Sequence, residues 1–534
     1  MRLRDLLLRQ GSKRNRKRVS YRTSRLSWRN ALRLRFELLE PRTLLSDGSG
    51  NPLLPLEPAA AEADYLIIAA HNLYNPADVN DPMAQLARWK QKKGFLTYVL
   101  RLPAWQDYNY TGAQMVEYID EYIAQAYNTG HQTSYVLLVG DYNWQTDSSG
   151  EPVLPTGAEQ DYCVPSDMFL DPWYGAQEVY CPTDLPYSCV VGDDILPDLT
   201  LGRLPVDNRQ KILSGGVSVY ASKPNETTNV IDKILRYDAN PDELEVGWYD
   251  DVLIAAEFDN GIVGSNIATQ YNMENAMYVY DKLSLNDRGM DNTYTALCPE
   301  SMPQSPHDTE YHKTSEQYPH RITLPKDASG LPTYDVPDGV VDKWQTKSEA
   351  KTAVINALND GVGIALHRGH GHNGSDNGWS LPEFRTPDVV SLTNGVKTPV
   401  VFSIECYAGP FHDDEYNFED AVPDGSLAEV LLWEPNGGAV GVVASTAVSY
   451  IGYNDLLTLG IFKSFWEDFE ESDPEEYTNV YTLSMRPAEA LNYGKYYMAH
   501  HEGYPAPDYR SEAEFKEFHW FGDPEMMLGE GVRL

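Results

Sequence analysis

Cysteine is scarce in this chain, with 5 residues in 534. They are Cys163, Cys181, Cys189, Cys298 and Cys406, and none forms a Cys-x-x-Cys pair that would supply metal ligands. An odd count in an exported protein leaves at least one thiol without a disulfide. Cys163, Cys181 and Cys189 lie close together, and one local disulfide among them is expected. No window approaches 18 uninterrupted apolar residues, which excludes a membrane-spanning helix. There is no internal repeat, so solenoids and propellers are excluded. Basic residues are few once the start is passed. Residues 1–45 hold 14 Lys/Arg against 3 Asp/Glu, leaving 28 basic and 76 acidic residues beyond, a balance of −48. An acidic body of this kind repels nucleic acid and anionic membranes.

The basic start lacks the apolar core of a secretory signal, because Leu6–Leu8 is too short. It ends in Leu39-Glu-Pro-Arg-Thr-Leu-Leu45. Residues 1–46 are therefore set apart as a basic leader, with a polyanion-binding arm as the alternative. Residues 47–62, rich in Gly, Pro, Ala and Glu, are set apart as a linker.

The body alternates short apolar runs with helical periods. Tyr65–Ala70, Phe95–Leu100 and Tyr135–Asp141 predict buried strands. Pro82–Lys93 and Thr111–Ala126 predict the helices between them. This rhythm predicts a parallel sheet covered by helices. Residues 143–195 are aperiodic and predict a long ordered insertion near the working edge of the sheet. A strand within Pro197–Val206 closes the first set, and Asp251–Glu257 opens a second. A helix at Ser348–Asn359 precedes a strand at Val362–Arg368, and Pro399–Glu405 is the next strand. The body thus divides into residues 63–206, an N-terminal α/β subdomain, and 207–534, a second α/β subdomain.

Two motifs carry chemistry. His367-Arg-Gly-His-Gly-His372 follows one buried strand, and Cys406 follows another, 36 positions after His370. Loops leaving the carboxyl ends of neighbouring parallel strands face one crevice, and such strands are about 4.8 Å apart. An imidazole and a thiol placed there form a nucleophile and its base. Gly369 and Gly371 are read as permitting a sharp turn at His370, and Gly409 as turning the chain away after Cys406. The N–H groups of Gly371 and Cys406 are candidates for an oxyanion hole. Trp379 is a candidate pocket wall. Glu257 ends its strand in the same way and is the candidate to orient the second imidazole nitrogen. Two alternatives stand beside this reading. One is a metal-dependent hydrolase using the cluster His367, His370 and His372 with Asp376. The other is a non-catalytic extracellular binding protein.

With these pieces in order, the chain resembles the gingipain-type, caspase-like cysteine peptidases. The matching segments are Tyr65–Ala70, Trp89-Lys-Gln-Lys-Lys-Gly94, Leu137-Leu-Val-Gly-Asp141, Leu201-Gly-Arg-Leu-Pro-Val206, Gly369-His-Gly371, Cys406 with Gly409 and Phe411, Ala428-Glu429, Gly438-Ala-Val440 and Phe521-Gly-Asp-Pro524. The resemblance implies an α/β fold of two subdomains with a caspase-like second half. It implies Cys406 as nucleophile of an endopeptidase, His370 as its base and Glu257 as the glutamate contacting the histidine. It implies protein or peptide substrates and no cofactor for the chemistry. Gingipains that cut after Arg or Lys carry a pocket acid soon after that glutamate. Residues 261–269 hold no acid, and Asp259 is the nearest candidate. Structural Ca2+ is frequent in the family, and Asp193-Asp194 and Asp413-Asp414-Glu415 are the acidic candidates. The leader run likewise resembles the LEPR-X-LL leader of exported proteins in planctomycete-type bacteria, which implies secretion or surface display. Residues 1–62 are too few for a folded prodomain and are expected to be removed on export. The sequence sets no oligomeric state.

Overall fold

A computed structural model of the chain describes residues 62–105, 112–129, 132–142, 145–146, 152–153, 158–171, 179–192, 194–214, 217–222, 225–239, 246–258, 270–283, 290, 292–299, 310–312, 333–335, 345–372, 374, 376–411, 425–466, 485–502 and 509–529. The leader, most of the linker, Asp259, Asp193 and Asp413-Asp414-Glu415 lie outside the described residues.

Ten strands form one sheet. They are β1 (Tyr65–Ala69), β2 (Thr97–Arg101), β3 (Tyr135–Val139), β4 (Thr200–Leu204), β5 (Asp251–Phe258), β6 (Asn292–Pro299), β7 (Ile364–Arg368), β8 (Val400–Ile404), β9 (Gly441–Ser445) and β10 (Phe518–Phe521). Their spatial order is β6-β5-β7-β8-β9-β10-β4-β3-β1-β2. Every neighbouring pair is parallel except β9 with β10. The strands β1, β3, β7, β8 and β9 are buried almost throughout because both faces of the sheet are covered. The two α/β halves share this one sheet across residue 206. Strand β10 joins them, antiparallel to β9 and parallel to β4.

The helices start and stop where local chemistry dictates. Helix α1 (Pro82–Lys93) opens on Asp81, whose carboxylate accepts Met83 and Ala84 N–H, with proline at its first position. It ends at Gly94 with φ +104°, a conformation glycine adopts without strain. Helix α2 (Lys347–Asp360) opens on a Thr346/Glu349 capping box. Helix α3 (Leu427–Trp433) opens on a Ser426/Glu429 box. Helices α4 (Ile451–Phe465), α5 (Pro487–Glu502) and α6 (Tyr509–Glu517) complete the second half.

Several charged groups inside the core are paired. Lys90 of α1 is fully buried and bonds Asp523 and Glu525 (2.9 Å), while Lys93 reaches the same Glu525 at 2.6 Å. The Trp-Lys-Gln-Lys-Lys-Gly and Phe-Gly-Asp-Pro segments, far apart in sequence, thus meet as a buried ion cluster. Arg203 is likewise buried, held by Asp184 (2.6 Å), Ser166 Oγ (2.8 Å) and the Gly140 carbonyl (2.7 Å). Removing one partner from such a cluster leaves a buried charge uncompensated, typically a loss of about 3–5 kcal/mol.

The expected disulfide does not form: none of the five cysteines is disulfide-bonded. Within the insertion after β3, Asp167–Leu170 and Tyr180–Thr183 pair as antiparallel strands. Its Phe169 and Cys181 pack with Tyr407 and Ala447 in an apolar cluster that Cys406 touches.

Candidate active site

Strands β5, β7 and β8 lie side by side, with Ala256 opposite Arg368 and Arg368 opposite Ile404. From that row, Glu257 is one residue on, and His370 and Cys406 are each two residues on. Three adjacent parallel strands therefore deliver the three side chains to one edge of the sheet. The contact between loops is tight. A Cβ on Gly371 would lie 1.7 Å from the Cys406 carbonyl oxygen, so only glycine lets the histidine turn press on the cysteine backbone.

The chain bends at Gly369, as the sequence suggested. Neither Gly369 nor Gly371 has a positive φ, and both also serve close approach. Gly409 also serves packing, since a Cβ there would meet the Phe521 ring at 2.6 Å. The sharp turn after the thiol falls on Tyr407, at φ +53°. A non-glycine residue in that region is held by its surroundings. Tyr407 N–H donates to Ala447 O (2.9 Å) and its hydroxyl donates to Asp171 (3.1 Å).

Glu257 Oε2 accepts the backbone N–H of His370 at 3.0 Å. Among the described residues the imidazole of His370 makes no hydrogen bond, and the residue is exposed. The carboxylate thus meets the histidine through its main chain, where the sequence suggested a ring nitrogen.

Cys406 Sγ is half-buried against the segment before α4. It accepts the Ser449 N–H at 3.3 Å and lies 3.8 Å from Ser449 Oγ. Its own S–H is 3.6 Å from the Ser449 carbonyl. Burial pushes the thiol up to about 11, against the pull of the Ser449 donors.

Trp379, expected as a pocket wall, is 1 % exposed and supports the site from beneath. Its ring stacks on His367 (4.4 Å between centroids, planes 6° apart), and its Nε1 donates to Ser403 Oγ at 2.8 Å. His367 is fully buried, with Nδ1 2.7 Å from Glu405 Oε2 and Nε2 3.0 Å from Leu381 O. Ser403 Oγ donates to the other Glu405 oxygen. His367, Ser403 and Glu405 share one face by the two-residue period of a strand. Both ring nitrogens of His367 are thus engaged, and His372 Nε2 pairs with Asp376 at 3.0 Å. The three histidines do not converge, and among the described residues no group of three or more His, Cys, Asp or Glu is arranged to hold a metal ion. The metal-site expectation for His367, His370, His372 and Asp376 is not supported by this geometry.

Several site residues escaped the sequence reading. Asn377 donates to Tyr407 O (2.8 Å) and accepts Leu427 N–H (2.8 Å), tying the histidine hairpin to the cysteine loop and α3. Nothing in the sequence marks it beyond its place between Gly374 and Gly378. Glu514 and Glu517 of α6 are fully buried. Tyr450 N–H donates to Glu514 Oε1, and the carboxyls of Glu514 and Glu517 lie within hydrogen-bond reach of each other. Burial raises the carboxyl of Glu514 to about 8, and burial together with Glu514 raises that of Glu517. Two carboxyls this close share one proton near neutral pH.

The model of peptidase family C25 matches residues 59–214 and 219–529. The chain belongs to peptidase family C25. This is the gingipain family, and its members are cysteine peptidases, so the chain is a cysteine endopeptidase and its substrates are proteins. The fold is that of gingipains. A crystal structure of the Arg-specific cysteine proteinase gingipain R (RgpB) superposes with a TM-score of 0.55 at 18 % identity, covering 89 % of this chain and 80 % of that one. The complex of Porphyromonas gingivalis RgpB pro- and mature domains gives 0.52 at 17 % identity, covering 87 % and 79 %. Among curated proteins nothing matches. Family membership favours neither the metal-hydrolase nor the non-catalytic alternative. No helix among the described residues is long and apolar enough to cross a membrane.

Proposed function

We propose that this C25 peptidase cleaves peptide bonds with Cys406 as nucleophile and His370 as general base. The observation carrying this reading is the delivery of Glu257, His370 and Cys406 by three adjacent strands, with Gly371 pressed against the Cys406 carbonyl. The thiol is protonated at rest because burial holds it high. The imidazole of His370, exposed and not hydrogen-bonded, takes the thiol proton as the sulfur attacks the scissile carbonyl. The Gly371 and Cys406 N–H groups receive the developing oxyanion, each such donor being worth about 3 kcal/mol of barrier. The imidazolium then protonates the leaving amine, and water hydrolyses the thioester. Glu257 fixes the histidine main chain. The reaction needs no cofactor. Asp259 is the candidate acid for side-chain recognition on the substrate, and calcium, if bound, has a structural part only.

Export to the cell exterior or surface belongs to the same reading. It is supported by the Leu39–Leu45 leader run and the acidic body. The test is a peptide library scanned at the residue before the scissile bond, read with wild type and Cys406→Ala. Cleavage by wild type that vanishes in the variant is the expected result, and equal cleavage by both overturns the assignment.

A further inference from the structure

We infer that Ser449 is a further catalytic residue, a donor that holds the thiolate of Cys406, and that Asn454 is the positioning residue that aims it. The inference rests on the assignment of Cys406 as nucleophile. Ser449 presents two donors to one sulfur: its N–H at 3.3 Å and its hydroxyl at 3.8 Å. The hydroxyl direction is set by Asn454, whose Nδ2 donates to Ser449 Oγ at 2.8 Å. An oxygen that accepts from the amide keeps its own proton for another partner, and the neighbour available is Sγ. Asn454 is buried in the first turn of α4, and its Oδ1 has no hydrogen-bond partner, so the amide is committed to Ser449.

The surroundings show why such donors matter. The titratable groups acting on the sulfur are Glu405, next in sequence, and Glu514 and Glu517, from α6. None is a cation, and each opposes a negative sulfur where it ionises, as does burial. His370 lies on the histidine turn and takes the proton. Ser449 supplies the donors that favour the ionised form after the proton has left. When the thioester forms, the sulfur loses its charge and the two donors lose most of their hold, so the interaction is strongest where the thiolate is present. That is the differential binding a catalytic group requires.

The test is the pH dependence of Cys406 alkylation by iodoacetamide, followed together with loss of peptidase activity, in wild type and three variants. Ser449→Ala keeps the N–H and removes the hydroxyl. It should slow alkylation near neutral pH about fivefold and move the midpoint to higher pH, with the thermal midpoint little changed. Ser449→Thr keeps the hydroxyl and should restore the profile. Asn454→Asp turns the hydroxyl toward a carboxylate and should reproduce the alanine result, and it serves if Ser449→Ala does not fold. A folded Ser449→Ala or Asn454→Asp with the wild-type alkylation profile overturns the role of Ser449. Wild-type alkylation of Cys406 that leaves peptidase activity intact would instead overturn the nucleophile assignment, and this inference with it.

Discussion

Glu257 holds His370 by the main chain, its Oε2 accepting the histidine N–H at 3.0 Å. An amide oxygen can accept the same bond, whereas a methyl cannot. Glu257→Gln is therefore expected to stay within about threefold of wild-type kcat/KM, and Glu257→Ala to fall about 10- to 100-fold. Steady-state kinetics on one peptide decides it. A glutamine variant as poor as alanine would mean that the charge acts on the imidazole itself.

Cys406→Ala and His370→Ala are each expected to lower kcat by roughly 10⁴-fold or more, and the double variant is expected to be no worse than the poorer single one, because residues acting as one unit are not additive. His370 is exposed, so its replacement should leave the thermal midpoint unchanged. Additive losses would show that the two residues act separately.

The buried stack beneath the site predicts a coupled loss. Trp379 fills the space between His367 and Phe384 and bonds Ser403. Trp379→Ala should cost about 3–5 kcal/mol in urea unfolding. Activity should fall as well in the fraction that remains folded, since Ser403 and Glu405 lead directly into Cys406. Full stability in that variant would contradict the packing described.

Glu514 and Glu517 predict a pH-dependent stability. A carboxyl raised in the folded state keeps its proton while the unfolded chain gives it up. Its contribution is fully present below the ordinary carboxylate range and is lost as pH rises through the folded value, about 8 for Glu514. Wild type should therefore lose unfolding free energy between about pH 5 and pH 8. Glu517→Gln gives Glu514 an amide donor and should flatten that slope. Chemical denaturation at several pH values measures it, and identical slopes in the two proteins would remove the shared-proton account.

Much of this arrangement is legible in the sequence. The apolar runs of β1, β3, β7 and β8 could only be buried strands, and the glycine–histidine turn and Cys406 each follow one directly. What escaped notice has common causes. Ser449 reaches the thiol, and Glu514 the segment beside it, from elements remote in sequence, and no local period announces such an approach. Trp379 looked like a wall because an aromatic beside a catalytic motif often is one, while its burial depends on stacking with His367 across the hairpin. The opposed run of the two halves depends on β10, whose pairing partners no alternation pattern names. The role given to Gly409 differs from the observed one because closeness to a neighbour leaves the same mark in a sequence as a turn.

Strand β10 also bears on when the enzyme becomes dangerous. Vectorial synthesis makes both halves of the sheet long before residues 518–521 exist, and contacts such as Tyr65 with Asp523 wait for them. Helix α6, which secures the segment beside the thiol, emerges just before that strand. A nascent chain that lacks residues 518–521 therefore has a cysteine and a histidine but no finished scaffold to align them, and the sheet that positions the site closes only once β10 has been made.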